Sequence, residues 1–325
     1  MRIVVVGPGA LGCLFACRLA HKAAVDAGHE TSQDEVILLD HRPERAVDLS
    51  RSGLTLHEMD GGTLRVSLPV MTWPSERPAV WPENIVSADL VLVCVKSPAL
   101  TDCLSHMQAL FATSPLTVFI QNGINHLSIA EGETFPMAFA TTTEGANLIA
   151  QGEVRHAGRG LTSLGFLAMP GSDTPGMKQV ARLATIAEYF SQAGLAAEVC
   201  ADIGDRIWRK LLINVGINAL TAVHDCANGA LLDNPVWRDQ MAELVKEARQ
   251  VAIAAGAAVP TDIFDTVVDV CLATANNISS MLQDVRAGRP TEIEAINGAI
   301  VCRGARFGIA TPANAEITRQ VRALS

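Results

Sequence analysis

The chain has no CxxC pair, no long apolar run, no internal repeat and no excess of positive charge. Its eight cysteines in 325 residues (Cys13, Cys17, Cys94, Cys103, Cys200, Cys226, Cys271 and Cys302) are scattered. No metal-ligating cluster is visible, and the length excludes a small disulfide scaffold. A reducing cytoplasmic setting is the simplest reading. Cys13 and Cys17 share a helical face and read as small apolar residues packed on a sheet. No stretch approaches the ~18 apolar residues of a membrane span, so no membrane partner is expected. The apolar start is interrupted by Gly7, Pro8, Gly9 and Gly12, a pattern unlike a cleaved leader. With 25 Lys and Arg against 34 Asp and Glu, the net charge is −9, which argues against a nucleic-acid partner. A local cationic pocket for an anionic ligand is still compatible with an acidic whole.

What is present is a large apolar fraction, 49% hydrophobic against 18% charged, enough for an ordered core in two domains. Residues 2–6, 35–40, 89–95 and 116–121 read as buried strands, with helices at 10–25 and 99–112 between them. Near-continuous apolar strands alternating with helices imply a parallel sheet covered on both faces. One or two short strands are expected at 62–70, and antiparallel strands appended to the sheet between 136 and 167. A helix at 177–194 and a strand at 196–200 follow. From about 203 the pattern is helical, with helices near 204–223, 234–256, 261–275, 291–307 and 312–323. The expected architecture is an α/β N-terminal Rossmann-type domain, residues 1–201, followed by an all-α C-terminal domain, residues 202–325.

Gly7, Gly9 and Gly12 form G-x-G-x-x-G between a strand and a helix, with Ala10 and Leu11 completing the turn. The first glycine permits the turn, the second lets the backbone approach a pyrophosphate, and the third lets helix and strand pack closely. Asp40 ends the second strand, where a carboxylate would bind the ribose hydroxyls of NAD; the alternative is a cap or turn residue. Arg42 and Arg45 follow, and Arg42 is placed to clamp the 2′-phosphate of NADP. The polar insertion at 26–34 leaves the register of Asp40 open.

Lys210, Asn214 and Asn218 are spaced i, i+4, i+8, which puts all three on one helical face. Such groups in an apolar helical region are costly unless they bind something. A second polar block runs from Asn277 through Ser279 and Ser280 to Arg286, Arg289, Thr291 and Glu292. It reads as a loop offering hydroxyls and helix-end amides to a carboxylate, ahead of a helix starting near Thr291. Glu292 in its first turn would also be favoured simply by the helix dipole. No metal site is expected.

GPGALG at 7–12, VCVK ending at Lys96, QNG at 121–123, TTTEGA at 141–146, WRKLLINVGINALTA at 208–222 and NNISSMLQDVRAGRPTEIEAINGAI at 276–300 together resemble the ketopantoate reductase (2-dehydropantoate 2-reductase) family along nearly the whole chain. The resemblance implies a Rossmann domain and a helical domain with the active site in the cleft between them. It implies NADPH-dependent reduction of 2-dehydropantoate to (R)-pantoate, on the route to pantothenate and coenzyme A. It makes Lys210 the catalytic lysine and Glu292 the acid that orients it. Asn214, Asn218 and Ser280 become substrate ligands, Asn122 a residue near nicotinamide and substrate, and Lys96 a cofactor neighbour; by itself Lys96 reads equally as a solvated strand-end lysine. The family commonly carries an arginine at the end of the second strand. Asp40-His41-Arg42 stands there instead, so NADP is favoured and NAD stays open. The alternatives are a related reductase of another branched 2-keto acid and a non-catalytic NAD(P)-binding regulator. A homodimer is compatible with this reading.

Overall fold

The computed structural model describes residues 1–27, 34–73, 82–111, 116–131, 135–167 and 176–324; most of the polar insertion at 26–34 lies outside them. The chain forms two compact units. The first comprises Met1–Gln121 and Leu127–Ile203, and the second Asn122–His126 and Gly204–Ser325.

In the first unit the elements run β1 (Arg2–Val6), α1 (Ala10–Ala27), β2 (Glu35–Asp40), α2 (Pro43–Ser52), β3 (Leu54–His57), β4 (Thr63–Val66), β5 (Val70–Thr72), α3 (Glu83–Val86), β6 (Leu90–Val93), α4 (Leu100–Phe111), β7 (Leu116–Phe119), β8 (Met137–Thr142), β9 (Gly145–Ala150), β10 (Glu153–Gly158), β11 (Thr162–Gly165), α5 (Met177–Gln192) and β12 (Ala197–Val199). The main sheet has the order β12-β11-β8-β7-β6-β1-β2-β5. The pairings from β5 through β1 and β6 to β8 are parallel, and β11 lies antiparallel to β8. The four Val and Ile residues of β1 and all of β6 and β7 are buried, as strands covered on both faces must be. Helix α1 packs Leu14, Phe15 and Leu19 into this core, with Phe15 edge-on to Phe190 of α5 at 5.3 Å. Cys13 and Cys17 are fully buried there, and burial pushes the Cys13 thiol up to about 12.

The stretch from 136 to 167 meets the expected appended antiparallel strands in part, since β11 runs antiparallel to β8 and β9 antiparallel to β10. β8 extends the parallel part of the sheet, while β9 and β10 join β3 and β4 in a separate sheet of order β4-β3-β10-β9. β10 pairs with its neighbour β9 as an antiparallel hairpin, but its other partner, β3, is remote in sequence, so local patterning could not reveal the second sheet. Buried His156 of β10 lies between Glu144, 2.6 Å away, and Glu58. Arg18 of α1 donates to Glu58 at 2.7 Å, which ties this small sheet to α1.

The second unit contains α6 (Ile203–His224), α7 (Ala230–Asp233), α8 (Pro235–Ala254), α9 (Ile263–Ala273), α10 (Ser280–Arg286), α11 (Asn297–Phe307) and α12 (Pro312–Arg322). Two features depart from the sequence reading. The polar block after Asn277 is not all loop, because Ser279 caps a new helix, α10. The helix expected over 291–307 is broken: a 3-10 turn covers Ile293–Ala295, Ile296 leaves helical geometry (φ −106°, ψ −94°), and α11 starts at Asn297. Glu292 therefore precedes a 3-10 turn rather than standing in the first turn of an α-helix. The physical reason lies in Gly123, whose φ is +81°; a Cβ there would fall 2.1 Å from the Ala295 carbonyl oxygen. The chain of Gly123 thus lies directly against the Ala295 carbonyl at the break.

Below the break, buried Glu247 accepts from the Ala313 amide (2.9 Å), the Asn314 amide (3.0 Å) and Asn314 Nδ2 (2.8 Å). It satisfies amides that the first turn of α12 cannot satisfy itself. Asn297 Nδ2 donates to Asn314 Oδ1 at 3.1 Å and to the Val215 carbonyl at 3.3 Å. This network joins α6, α8, α11 and α12 and braces α6, the helix that carries Lys210.

Candidate active site

The glycine turn follows β1 where β2 and β6 flank it on opposite sides, the strand-order reversal at which such sheets bind ligands. Gly7 has φ +98°, and a Cβ there would meet Val95 Cγ1 at 2.8 Å. A Cβ on Gly12 would lie 2.0 Å from the Gly7 carbonyl oxygen, whereas one on Gly9 would meet nothing within 4 Å. The turn is thus tight behind Gly7 and Gly12 and open beside Gly9, next to the start of α1. Ala10 and Leu11 open that helix. This cradle of backbone and helix end fits a dinucleotide pyrophosphate. Buried Gln121 donates from Nε2 to the Val93 carbonyl (2.7 Å) and the Val95 carbonyl (3.2 Å), bracing the segment against which Gly7 packs. Lys96 is exposed after β6.

At the end of β2, Asp40 is fully buried. Arg45 grips it with Nη2 on Oδ1 at 2.6 Å and Nε on Oδ2. Arg42 is exposed immediately before α2 and donates its amide to Asp40 Oδ1 at 3.2 Å. The sequence places Arg45 among the cations here; its pairing with Asp40 comes only with the first turn of α2.

In the helical unit, Lys210 Nζ donates to Asn122 Oδ1 at 2.8 Å, and Asn122 Nδ2 donates to Glu292 Oε2 at 3.0 Å. One amide thus links the amine to the carboxylate. Burial lowers the Lys210 pKa to about 8, while Glu292 opposes that shift. Burial, with the charges of Lys210 and Arg303, pushes His126 down to about 3, so its imidazole is neutral at physiological pH. Along the same face of α6, Asn214 and then buried Asn218 follow Lys210, spread over about 12 Å of helix axis. Among the described residues neither side-chain amide makes a hydrogen bond. One turn further, Thr221 Oγ1 donates to Ser279 Oγ at 2.7 Å, and Ser279 caps α10 by accepting from the Leu282 amide at 3.1 Å. The two serines therefore part company: Ser279 is buried in a structural cap, and Ser280 is exposed. The structure brings Lys210, Asn122 and Glu292 into direct contact.

Two family models match the chain: Ketopantoate reductase PanE/ApbA over residues 3–168, and Ketopantoate reductase PanE/ApbA C terminal over residues 202–325. The chain belongs to the ketopantoate reductase family. The 2-dehydropantoate 2-reductase of Halobacterium salinarum is 37% identical over 317 residues, covering 96% of this chain and 95% of that protein. The one from Vibrio cholerae is 33% identical over 327 residues, covering 100% and 98%. Among solved structures, a ketopantoate reductase of this family from Ralstonia eutropha JMP134 superposes with TM-score 0.83 at 28% identity, covering 100% of this chain and 98% of that one. A ternary structure of D-mandelate dehydrogenase with NADH and anilino(oxo)acetate also gives TM-score 0.83, at 25% identity and the same coverage. Ketopantoate reductases are NAD(P)-dependent oxidoreductases. No described helix is long and apolar enough to cross a membrane.

Thr221 and His126 belong to these sites although the sequence reading does not single them out, and Ser279 and Arg45 take structural roles the sequence reading does not give them. Ser279 carries the signal of a cap three residues before an amide it binds. The other three depend on tertiary neighbours.

Proposed function

We propose that this chain reduces 2-dehydropantoate to (R)-pantoate with NADPH, within pantothenate and coenzyme A biosynthesis. The observation that carries the reading is the hydrogen-bonded series Lys210–Asn122–Glu292 beside two unpaired amides. When bound, the reduced nicotinamide coenzyme supplies the hydride. Lys210 holds a proton at Nζ and gives it to the keto oxygen as negative charge grows there, where a fixed cation contributes most. Its pKa of about 8 keeps it charged at neutral pH and still close enough to release a proton readily. Asn122 orients the amine, and Glu292 orients Asn122 and balances the charge. Asn214 and Asn218 have amides available for the hydroxyl and carbonyl groups of the keto acid, and Ser280 has a hydroxyl available for its carboxylate. The product alcohol carries the hydride and the Lys210 proton; the amine is reprotonated from solvent.

Gly7, Gly9, Ala10, Leu11 and Gly12 hold the pyrophosphate in this reading, with Lys96 beside the cofactor. The preference for NADPH rests on the end of β2. Arg45 occupies both Asp40 oxygens, which neutralises the carboxylate that would repel a 2′-phosphate. Arg42 stands exposed at the start of α2, where guanidinium and helix N-terminus favour the same anion. All eight cysteines are free, which suits a reducing cytoplasm.

The test is turnover of 2-dehydropantoate in parallel with NADPH and NADH, followed by coenzyme absorbance, with phenylglyoxylate and aliphatic 2-keto acids as competitors. Faster oxidation of NADPH with 2-dehydropantoate than with any competitor is expected. Preference for NADH would return Asp40 to the ribose. A better competitor would move the activity to another 2-keto acid.

A further inference from the structure

Arg303 of α11 donates from Nη2 to the Ile124 carbonyl at 3.1 Å, and its guanidinium carbon stands 5.7 Å from the centroid of the Trp208 ring. A guanidinium suits this double task because its plane faces an aromatic ring while its edge donates hydrogen bonds. The two groups it joins are informative. Ile124 lies two residues after Asn122, and Trp208 lies two residues before Lys210. One side chain thus bridges the Ile124 backbone and the Trp208 ring, joining the two segments whose neighbouring residues make the Lys210–Asn122 hydrogen bond.

The rest of the Asn122–His126 segment is equally committed to the helical unit. Gly123 sits against the Ala295 carbonyl, and Ile124 and His126 are fully buried. Burial and the charges of Lys210 and Arg303 hold His126 neutral, so the segment adds no third cation.

We propose that Arg303 is a positioning residue for the reduction: it clamps the Asn122–His126 segment onto α6, holds Asn122 Oδ1 on the Lys210 amine, and keeps water from that amine. The inference rests on Lys210 being the proton donor of the function proposed above. Arg303 does not touch the reacting groups and acts through Asn122 and Lys210. Loss of the clamp would admit water beside the amine, relieve the burial that holds its pKa down, and let Lys210 titrate nearer an ordinary lysine.

The experiment compares full-length wild type, R303M and R303K. Competitive acetylation across pH, read by peptide mass spectrometry, gives the titration midpoint of Lys210 without requiring turnover. R303M should move that midpoint up from about 8 and lower kcat between about 10- and 100-fold, the range expected for a misplaced reacting group. NADPH affinity should change less than about twofold. R303K keeps the positive charge but loses the fork, so it separates clamping from electrostatics; its midpoint should also rise, by less than in R303M, with part of the kcat restored. A Lys210 midpoint equal to wild type in R303K and R303M overturns the proposal. So does a midpoint that shifts only in R303M, because charge alone then explains it. If R303M does not fold, the R303K midpoint decides by the same criterion. Failure of the wild type to reduce 2-dehydropantoate would remove the proposed function and leave the labelling result on Arg303 intact.

Discussion

The two candidate sites are assembled from different materials. In the α/β unit the glycine turn occupies six consecutive residues, Gly7 to Gly12, and offers mainly backbone and a helix end. In the helical unit the working groups are side chains drawn from distant places: Lys210 and Asn122 are 88 positions apart, and Asn122 and Glu292 are 170 apart. A backbone cradle is specified by which residues must lack a Cβ. A side-chain relay is specified by packing that holds three segments within hydrogen-bond reach. The first should therefore fail through steric intrusion at one residue, and the second through loss of any one link.

Lys210→Met is expected to give the largest effect. The proposed proton donor is removed, and kcat should fall about 10²- to 10⁴-fold. NADPH affinity, read by fluorescence titration, should stay near wild type. A parallel loss of cofactor binding would erase the distinction between the two sites.

Gly12→Ala should produce the converse. The new Cβ meets the Gly7 carbonyl oxygen at 2.0 Å, so backbone must shift where helix and strand are tightest. NADPH affinity should fall at least about tenfold and the thermal midpoint should drop, since overpacking costs about 1–3 kcal/mol. Gly9→Ala, with open space at its Cβ, should keep wild-type thermal stability and lose affinity only. Equal melting of the two variants would contradict the cradle described for this turn.

Arg42→Ala sharpens the comparison within the α/β unit. It should raise KM for NADPH about tenfold, the scale of one lost charge-assisted contact, and leave KM for NADH unchanged. Equal effects on both coenzymes would remove Arg42 from the 2′-phosphate.

The smallest effect concerns pH. In the proposed role Lys210 gives a proton only when charged, so kcat should fall as pH rises through about 8. The Glu292 carboxylate raises the Lys210 pKa against the downward pull of burial. Glu292→Gln should therefore move the alkaline limb to lower pH. A limb that moves to higher pH would reverse the assigned sign, and an unmoved limb would detach Glu292 from the amine.

The alternation of apolar strands and helices made the parallel sheet legible, and G-x-G-x-x-G located the turn, because each pattern is local. The i, i+4, i+8 spacing of Lys210, Asn214 and Asn218 likewise placed them on one face. The small sheet was not legible, since β10 finds β3 about a hundred residues away. Nor was the break at Ile296, where an apolar pattern runs on through the residues while Gly123, remote in sequence, packs against the Ala295 carbonyl. Ser279 and Ser280 show the same limit on the scale of one residue: adjacent and chemically identical, they divide into a buried cap and an exposed hydroxyl only when α10 meets Thr221.

By itself, then, the sequence determined the two kinds of architecture, the position of the glycine turn and the polar face of α6, all properties of periodicity and of missing side chains within one turn or strand. Only the tertiary structure decided that Asn122 to His126 would pack with the helical unit, that Arg45 would neutralise Asp40, and that Asn122 would link Lys210 to Glu292. Those outcomes depend on burial and close approach between segments far apart in the chain, and a pattern of neighbours along a chain does not encode which distant surface will come to lie against a given side chain.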